Sequence, residues 1–214
     1  MSNFLEDMKN DHRDFDYGKL EEVFGEDPFV IFNEWLEKAI IEKQPEANAF
    51  SLATVNFDGQ PTSRIVYLKE ILNEQFVFYT NYNSDKGKGI ALNPKVNMLF
   101  YWADLQQQIR IEGVCTKTDA SVSDAYFNSR PRGSQLGAWA SDQSAQLLNR
   151  KELEDRVKAL DEKYPTTIPR PENWGGYQIA PTKIEFWQGR PSRLHDRIVF
   201  EKVNGTWLIY RLNP

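Results

Sequence analysis

Three groups of residues in this 214-residue chain could do chemistry. Arg193, His195 and Arg197 fall in the run Arg193-Leu194-His195-Asp196-Arg197, where the two-residue alternation of a strand would put all three on one face. Cations stacked in this way repel one another unless an anion or polar ligand lies across them, and guanidinium groups fork onto phosphate and carboxylate. The plain alternative is a solvated strand face with acidic partners across the sheet. Tyr126, Arg130 and Ser134 form the second group, with Tyr126 and Arg130 as i, i+4 neighbours at a helix end. Two hydroxyls and one fork could hold a phosphate, or Arg130 could simply be a favourable cation at a helix C-terminus, followed by a polar loop. Arg64, Lys69, Lys86 and Lys88 add positive charge without a fixed geometry. Trp174-Gly175-Gly176 and Trp187 offer aromatic surface on which a flat conjugated ligand could stack, although tryptophan in strands is more often core. These residues point to a phosphate-bearing aromatic ligand and name no reaction.

Other chemistries are missing. There is no GxGxxG, no GxxxxGK followed by Ser or Thr, and no HExxH. Gly133-Ser134-Gln135-Leu136-Gly137 has the wrong spacing for a nucleophile elbow, and His195 would be its only base. The single cysteine, Cys115, excludes an intramolecular disulfide and any CxxC site and reads as filler in a strand. With only His12 and His195 beside it, a zinc site lacks ligands, and no metal is expected. The net charge of -5 is uneven: residues 1–30 carry nine acids against Lys9, Arg13 and Lys19, which leaves the remainder near neutral. An acidic leader on a neutral body disfavours nucleic acid, whose affinity comes mainly from neutralised phosphates. The longest apolar run, 98–103, is six residues, far short of the roughly 20 that cross a bilayer. Without an apolar or Arg-rich leader the expectation is a cytoplasmic protein that meets no membrane.

The elements that must position these residues follow from periodicity. With 40% apolar and 27% charged residues the chain reads as globular. Residues 1–26 are polar and weakly periodic, which suggests a mobile acidic arm that could dock through Phe4, Phe15 or Tyr17, and 27–214 reads as one domain. Asp27-Pro28 is a helix start, followed by a stripe of Ile31, Phe32, Trp35, Leu36, Ala39 and Ile40. Strand-like runs fill 50–57, 62–69, 76–80, 96–102 and 108–113, with Asp58-Gly59 as a hairpin turn. A short helix is expected over 84–92, another over 119–129 stopped by Arg130-Pro131, and a third through Leu153, Val157, Leu160 and Tyr164. Runs at 183–188, 194–201 and 206–212 look like closing strands. Many short strands, few helices and no βαβ rhythm give an α+β fold with a mostly antiparallel β-barrel core.

The segment Glu185-Phe186-Trp187-Gln188-Gly189-Arg190-Pro191-Ser192-Arg193-Leu194-His195-Asp196-Arg197 closely resembles the signature of pyridoxine/pyridoxamine 5′-phosphate oxidases. The likeness extends through Arg64-Ile65-Val66-Tyr67-Leu68-Lys69, Phe78-Tyr79-Thr80-Asn81, Ser129-Arg130-Pro131-Arg132, Ser134-Gln135-Leu136-Gly137-Ala138-Trp139, Trp174-Gly175-Gly176 and Arg211-Leu212-Asn213-Pro214, and so spans about residues 28–214. It implies an FMN-binding split β-barrel, Greek-key-like, with peripheral helices, and a homodimer with FMN sites between the subunits. The implied reaction oxidises pyridoxine 5′-phosphate or pyridoxamine 5′-phosphate with O₂ to pyridoxal 5′-phosphate in vitamin B6 metabolism, releasing hydrogen peroxide, and ammonia from the amine. The resemblance puts FMN contacts on Arg64, Ile65, Val66, Tyr67, Leu68, Lys69, Tyr79, Thr80, Lys86, Gln108, Gln143, Ser144, Trp187 and Arg197. It puts substrate phosphate on Lys69, Tyr126, Arg130 and Ser134, and the substrate ring against Arg193, Leu194 and His195, with Arg193 and His195 as catalytic residues and Arg193 the larger contributor.

Two departures from the family pattern stand out. Where the family has Ser-Arg-Lys this chain has Ser84-Asp85-Lys86, and Lys88 is the expected replacement for the lost cation. The family's Arg-x-x-Tyr arm element is matched only by His12-Arg13-Asp14-Phe15, with Tyr17 beyond it. The competing functions are another split-barrel FMN reductase with a nicotinamide donor, which has no need of Tyr126, Arg130, Ser134, Arg193 and His195 together, and a non-catalytic carrier of flavin or pyridoxal phosphate.

Overall fold

A computed structural model describes residue 9, residues 14–20 and residues 25–214; Phe4, His12 and Arg13 lie outside the described residues. Two compact units divide the chain, the first built from Met1–Ala47, Leu99–Arg110 and Lys183–Pro214, the second from Asn48–Met98 and Ile111–Thr182. Strands β1 (Ala49–Val55), β2 (Pro61–Tyr67), β3 (Glu70–Leu72), β4 (Gln75–Asn81), β5 (Lys95–Trp102), β6 (Gln107–Lys117), β7 (Trp174–Gln188), β8 (Asp196–Val203) and β9 (Thr206–Arg211) hydrogen-bond in the order β2-β1-β5-β6-β7-β4-β3, with β8 on β7 and β9 on β8. Strands β5 (Lys95–Trp102), β6 (Gln107–Lys117) and β7 (Trp174–Gln188) each begin in one unit and end in the other. Among the described residues no helix is long and apolar enough to cross a membrane.

The first unit starts with helix α1 (Pro28–Ile41), which begins as its sequence predicts: the Asp27 carboxylate accepts the Phe29 N–H at 2.8 Å and Pro28 fills the first turn. Its buried side is Phe29, Ile31, Phe32, Trp35 and Ala39; Ile40, included in the expected stripe, is one step round the last turn and 59% exposed. Edge-to-face ring contacts run from Phe32 to Phe100, from Trp35 to Phe186 and from Phe186 to Phe200, at 5.3, 5.3 and 5.8 Å. Strand β8 (Asp196–Val203) pairs antiparallel with the end of β7, Trp187 opposite Arg197, and with β9 (Thr206–Arg211). Asn204 and Gly205, at φ 51° and 88°, make the two-residue turn between β8 and β9.

One expectation fails here. Arg193, His195 and Arg197 do not share a strand face, because β8 begins only at Asp196. Pro191 has no N–H to give to a ladder, Pro191–Arg193 forms a 3₁₀ turn, and Ser192 and Arg193 take φ of 56° and 61°. Non-glycine residues in this region carry backbone strain.

In the second unit β1 (Ala49–Val55) and β2 (Pro61–Tyr67) form the expected hairpin, Ala49 opposite Tyr67, with Gly59 at φ 86° in its turn. A hairpin that the sequence reading passes over, β3 (Glu70–Leu72) with β4 (Gln75–Asn81), turns on Asn73 and Glu74 at positive φ. The start of β7 pairs with β4, setting Gly176 opposite Tyr79 and Gly175 opposite Thr80. A side chain at Gly175 would meet the Tyr82 hydroxyl at 2.2 Å, and one at Gly176 would meet Thr118 Oγ1 at 2.6 Å and the Tyr79 ring at 2.9 Å. The glycine pair thus lets two tyrosines lie across the strand, and together with Pro181 it hides this half of β7 from a propensity reading. Cys115 is buried in β6, as expected of strand filler, and burial pushes its thiol far above the usual range.

Helix α2 (Asp85–Leu92) is capped by the Ser84 side chain, which accepts the Gly87 N–H. Helix α3 (Ala120–Ser129) ends at Arg130-Pro131 as predicted. It is followed by α4 (Arg132–Ala140), a helix the sequence does not announce, because Gly133 and Gly137 weaken the helical signal. Arg132 ties α4 to Asp161 of α5 (Arg150–Lys163) and to the Tyr164 carbonyl. Phe127, Leu136, Ile168 and Trp174 form the core beneath these helices, with Tyr79, Tyr126, Val157 and Leu160 packed on it.

A methyl group at Gly87 would come within 2.1 Å of the Tyr82 backbone carbonyl. Gly87→Ala should therefore cost about 1–3 kcal/mol of stability as an overpacking change, read as a lower urea midpoint at unchanged m-value.

Candidate active site

Residues from β2, β4, α2, α3 and α4, the segment after α4 and the first residue of β7 line one cavity of about 900 Å³ in the second unit. That is ample for a cofactor or drug-sized ligand. It gathers most of the cations that the sequence left without a geometry. Strand β2 brings Arg64, Ile65, Val66 and Tyr67 to it, Lys69 follows, and β4 brings Tyr79, Thr80 and Asn81. The first turn of α2 supplies Asp85 and Lys86, and Gln143 and Ser144 come from the segment after α4.

At one group of lining residues, Lys86 Nζ donates to Gln143 Oε1 at 3.0 Å, Ser84 Oγ at 3.1 Å and Thr80 Oγ1 at 3.2 Å. All three acceptors are neutral. Burial and the neighbouring Arg64 guanidinium lower its pKa to about 8, against the opposing pull of Asp85. Arg64 donates to the Leu52 carbonyl and to the hydroxyls of Thr54 and Thr62, again neutral partners, and burial lowers its pKa while Asp85 raises it. Lys88, expected to replace the missing family cation, is exposed and is not a lining residue, whereas Arg64 and Lys86 are. The Asp85 N–H donates to Ser144 Oγ, which fixes Ser144 at φ 74° beside the start of α2.

The second group joins Tyr126 and Arg130 at the end of α3 to Ser134 in the first turn of α4. The Arg130 guanidinium lies over the Trp174 ring at 4.5 Å, and its buried Nη1 has no hydrogen-bond partner. Burial lowers its pKa, Tyr126 opposing. A buried, unpartnered guanidinium N–H is costly, and an anion is the partner that would satisfy it. Tyr79 stacks on Tyr126 at 3.8 Å and lies nearly parallel to Trp174 at 5.7 Å, an aromatic wall of the kind a flat ligand needs. The Tyr79 hydroxyl donates to Glu70, and burial followed by that bond pushes its pKa up, so it stays neutral. Leu68 is the exception among the second-unit predictions: its side chain is core, its carbonyl accepts from Asn48, and it does not line the cavity.

Gln108, Trp187, Arg193, Leu194, His195 and Arg197 belong to the first unit. Arg197 makes a two-bond pair with buried Glu185, at 2.8 and 3.0 Å, which raises its pKa and keeps it charged opposite the carboxylate. Arg193 and Leu194 are exposed. His195 Nδ1 accepts the Arg190 N–H at 3.1 Å, which leaves the neutral imidazole with its proton on Nε2. Burial, then the nearby Arg193, lower its pKa, which favours the neutral ring. Its ring lies 4.6 Å from that of Trp187.

The arrangement can hold anionic groups at two cation clusters and a flat ring against an aromatic wall. Comparison with known proteins points the same way. Residues 36–164 match the family model described as pyridoxamine 5′-phosphate oxidase, and residues 174–214 match the pyridoxine 5′-phosphate oxidase C-terminal dimerisation region. A pyridoxine/pyridoxamine 5′-phosphate oxidase of Thermosynechococcus vestitus is 48% identical over 98% of this chain and 99% of its own length. One of Haemophilus ducreyi is 52% identical over 87% of this chain and 89% of its own. The crystal structure of PhzG from Burkholderia lata, in complex with tetrahydrophenazine-1-carboxylic acid, superposes with a TM-score of 0.85 at 28% identity, over 92% of this chain and all of that one. A pyridoxamine 5′-phosphate oxidase-related, FMN binding protein of Nostoc punctiforme shares the fold, with a TM-score of 0.70 at 18% identity over 89% of this chain and all of that one. The fold class expected from the sequence, a mostly antiparallel split barrel with peripheral helices, is therefore the observed one. By sequence, fold and family model, the chain belongs to the pyridoxine/pyridoxamine 5′-phosphate oxidase family of enzymes.

Proposed function

We propose that the chain is an FMN-dependent oxidase that converts pyridoxine 5′-phosphate and pyridoxamine 5′-phosphate with O₂ to pyridoxal 5′-phosphate, as a homodimer with its two FMN sites at the subunit interface. The observation that carries this reading is the single cavity holding two sets of desolvated cations, Lys86 with Arg64 and Arg130 with its orphaned Nη1. A flavin phosphate and a substrate phosphate are the two anions that would answer them. When bound, FMN supplies the redox step, accepting a hydride from substrate C4′ and passing the electrons to O₂, which leaves as hydrogen peroxide.

The protein's own part is binding and orientation, which can contribute several orders of magnitude in rate. Lys86 and Arg64, in reach of the α2 N-terminus, hold the FMN phosphate. Thr80, Gln143 and Ser144 fix its polar edges, and Gln108, Trp187 and Arg197 complete the cofactor site. Tyr126, Arg130, Ser134 and Lys69 hold the substrate phosphate. Arg193 and His195 lie against the substrate ring, Arg193 as a fixed cation and His195 as a neutral donor from Nε2, so that C4′ is placed for transfer. PhzG shows the same fold around a carboxylated tricycle, so a substrate without phosphate is the second reading to be tested.

The decisive experiment is the visible spectrum of the FMN-loaded protein, followed anaerobically with pyridoxine 5′-phosphate and then in air. Bleaching of the flavin band and its return with pyridoxal 5′-phosphate and peroxide are expected. A band that bleaches only with a nicotinamide or with tetrahydrophenazine-1-carboxylic acid would overturn the substrate assignment, and failure to bind FMN would overturn the whole. Because Lys86 titrates near 8, the cation is present below that pH and lost above it. FMN affinity should therefore fall as pH rises from about 7 to about 9, and Lys86→Met should flatten that fall while weakening binding at neutral pH roughly 10- to 100-fold, the loss of one charge-assisted bond. Arg130→Ala should raise KM for either phosphorylated substrate by a similar factor while the FMN dissociation constant stays within about twofold, which steady-state kinetics and flavin fluorescence separate.

A further inference from the structure

The turn that carries Arg193 and His195 is strained, exposed and short, yet it must hold two side chains in place. Within the first unit, a segment far away in sequence lies against it. The Asp14 carboxylate accepts the Ser192 N–H at 2.8 Å, at the residue where the backbone first enters the left-handed region. The Phe15 ring packs edge-on against His195 at 5.5 Å and against Trp187 at 5.9 Å. Gly189 makes room for it, since a side chain there would meet the Phe15 ring at 2.8 Å. The same segment is tied down on both sides: Tyr17 N–H donates to Gln106, the Gly18 carbonyl accepts from Arg190, and the N–H of buried Leu20 donates to Asp196.

We propose that Asp14 and Phe15 are positioning residues for the oxidation: Asp14 braces the left-handed turn that presents Arg193, and Phe15 wedges the His195 ring against Trp187. The proposal rests on the assignment of Arg193 and His195 to the substrate ring. Left-handed non-glycine residues persist only where surrounding contacts over-determine them, and Asp14 supplies such a contact to Ser192. The Arg190 N–H then sets the tautomer of His195 while Phe15 sets its ring plane.

The test is steady-state kinetics with pyridoxine 5′-phosphate on the full-length, FMN-loaded variants. Asp14 is exposed, and its substitution should leave folding intact. Asp14→Ala should lower kcat about five- to tenfold, the effect of one lost hydrogen bond on placement, with KM and FMN affinity within about twofold. Asp14→Asn keeps the acceptor oxygen and should restore kcat to within about twofold of the parent. Gly189→Ala should reproduce the loss by displacing the Phe15 ring, and should add less than about twofold in a Phe15→Leu background, as expected of residues acting through one contact. An unchanged kcat in Asp14→Ala, an Asn variant as impaired as the Ala one, or additive effects of Gly189→Ala and Phe15→Leu would each overturn the proposal. Arg193→Ala keeps the two levels apart: if it leaves kcat and KM unchanged, the underlying assignment of the turn to the substrate ring has failed instead.

Discussion

A buried ammonium with only neutral partners is the constraint on which the rest of the second unit depends. Lys86 keeps its charge at neutral pH against burial and against Arg64, helped by Asp85 and by three hydrogen bonds to uncharged oxygens. A carboxylate in hydrogen-bond contact would have stabilised it more and would have filled the position an anion needs. The surrounding structure supplies the compromise: Ser84 caps α2 and accepts from Lys86 with the same hydroxyl, and Thr80 reaches it from β4. Removing water from charged groups costs several kcal/mol per ion, and this cost is carried by the packed strands and helices on either side.

Arg130 meets the same problem with a different solution. Its charge is spread over a plane that stacks on Trp174, so part of its lost hydration is replaced by a ring face rather than by hydrogen bonds. That leaves Nη1 unsatisfied. The ring itself packs on Tyr79, Tyr126 and Phe127, and the glycine pair lets β7 run close to Tyr79 and Tyr82, so the strand's bare backbone and the aromatic wall are one device. Arg197, in the first unit, contrasts with both: its guanidinium already has a buried carboxylate, Glu185, on two bonds.

Much of this was legible from residue types. Asp27-Pro28, Asp58-Gly59 and Arg130-Pro131 mark their boundaries because capping, turn and pre-proline preferences act over a few residues. Tyr126, Arg130 and Ser134 could be grouped because they are close in sequence, and they do share one cavity. What could not be read was whatever depends on distant chain. The alternation rule put Arg193, His195 and Arg197 on one strand face, and a proline followed by two left-handed residues defeats it. Helix α4 was missed because two glycines lower local propensity while contacts with α5 hold the helix. Lys88 was the obvious substitute for a missing cation by sequence distance, but it is exposed and outside the cavity lining. The role of Phe15 needs a partner some 180 residues away, and no local pattern reports it.

The two cation clusters are built on different pieces of chain. Lys86 and Arg64 come from the sheet and the helix inserted into it, whereas Tyr126, Arg130 and Ser134 all come from one helix-proline-helix segment that packs on the sheet. Under the proposed assignment, substitutions in that segment would change what is oxidised without touching the residues assigned to the redox group. A fold divided in this way is open to diversification by exchange of a single module, and relatives with unlike substrates on one unchanged barrel are the natural outcome of its drift.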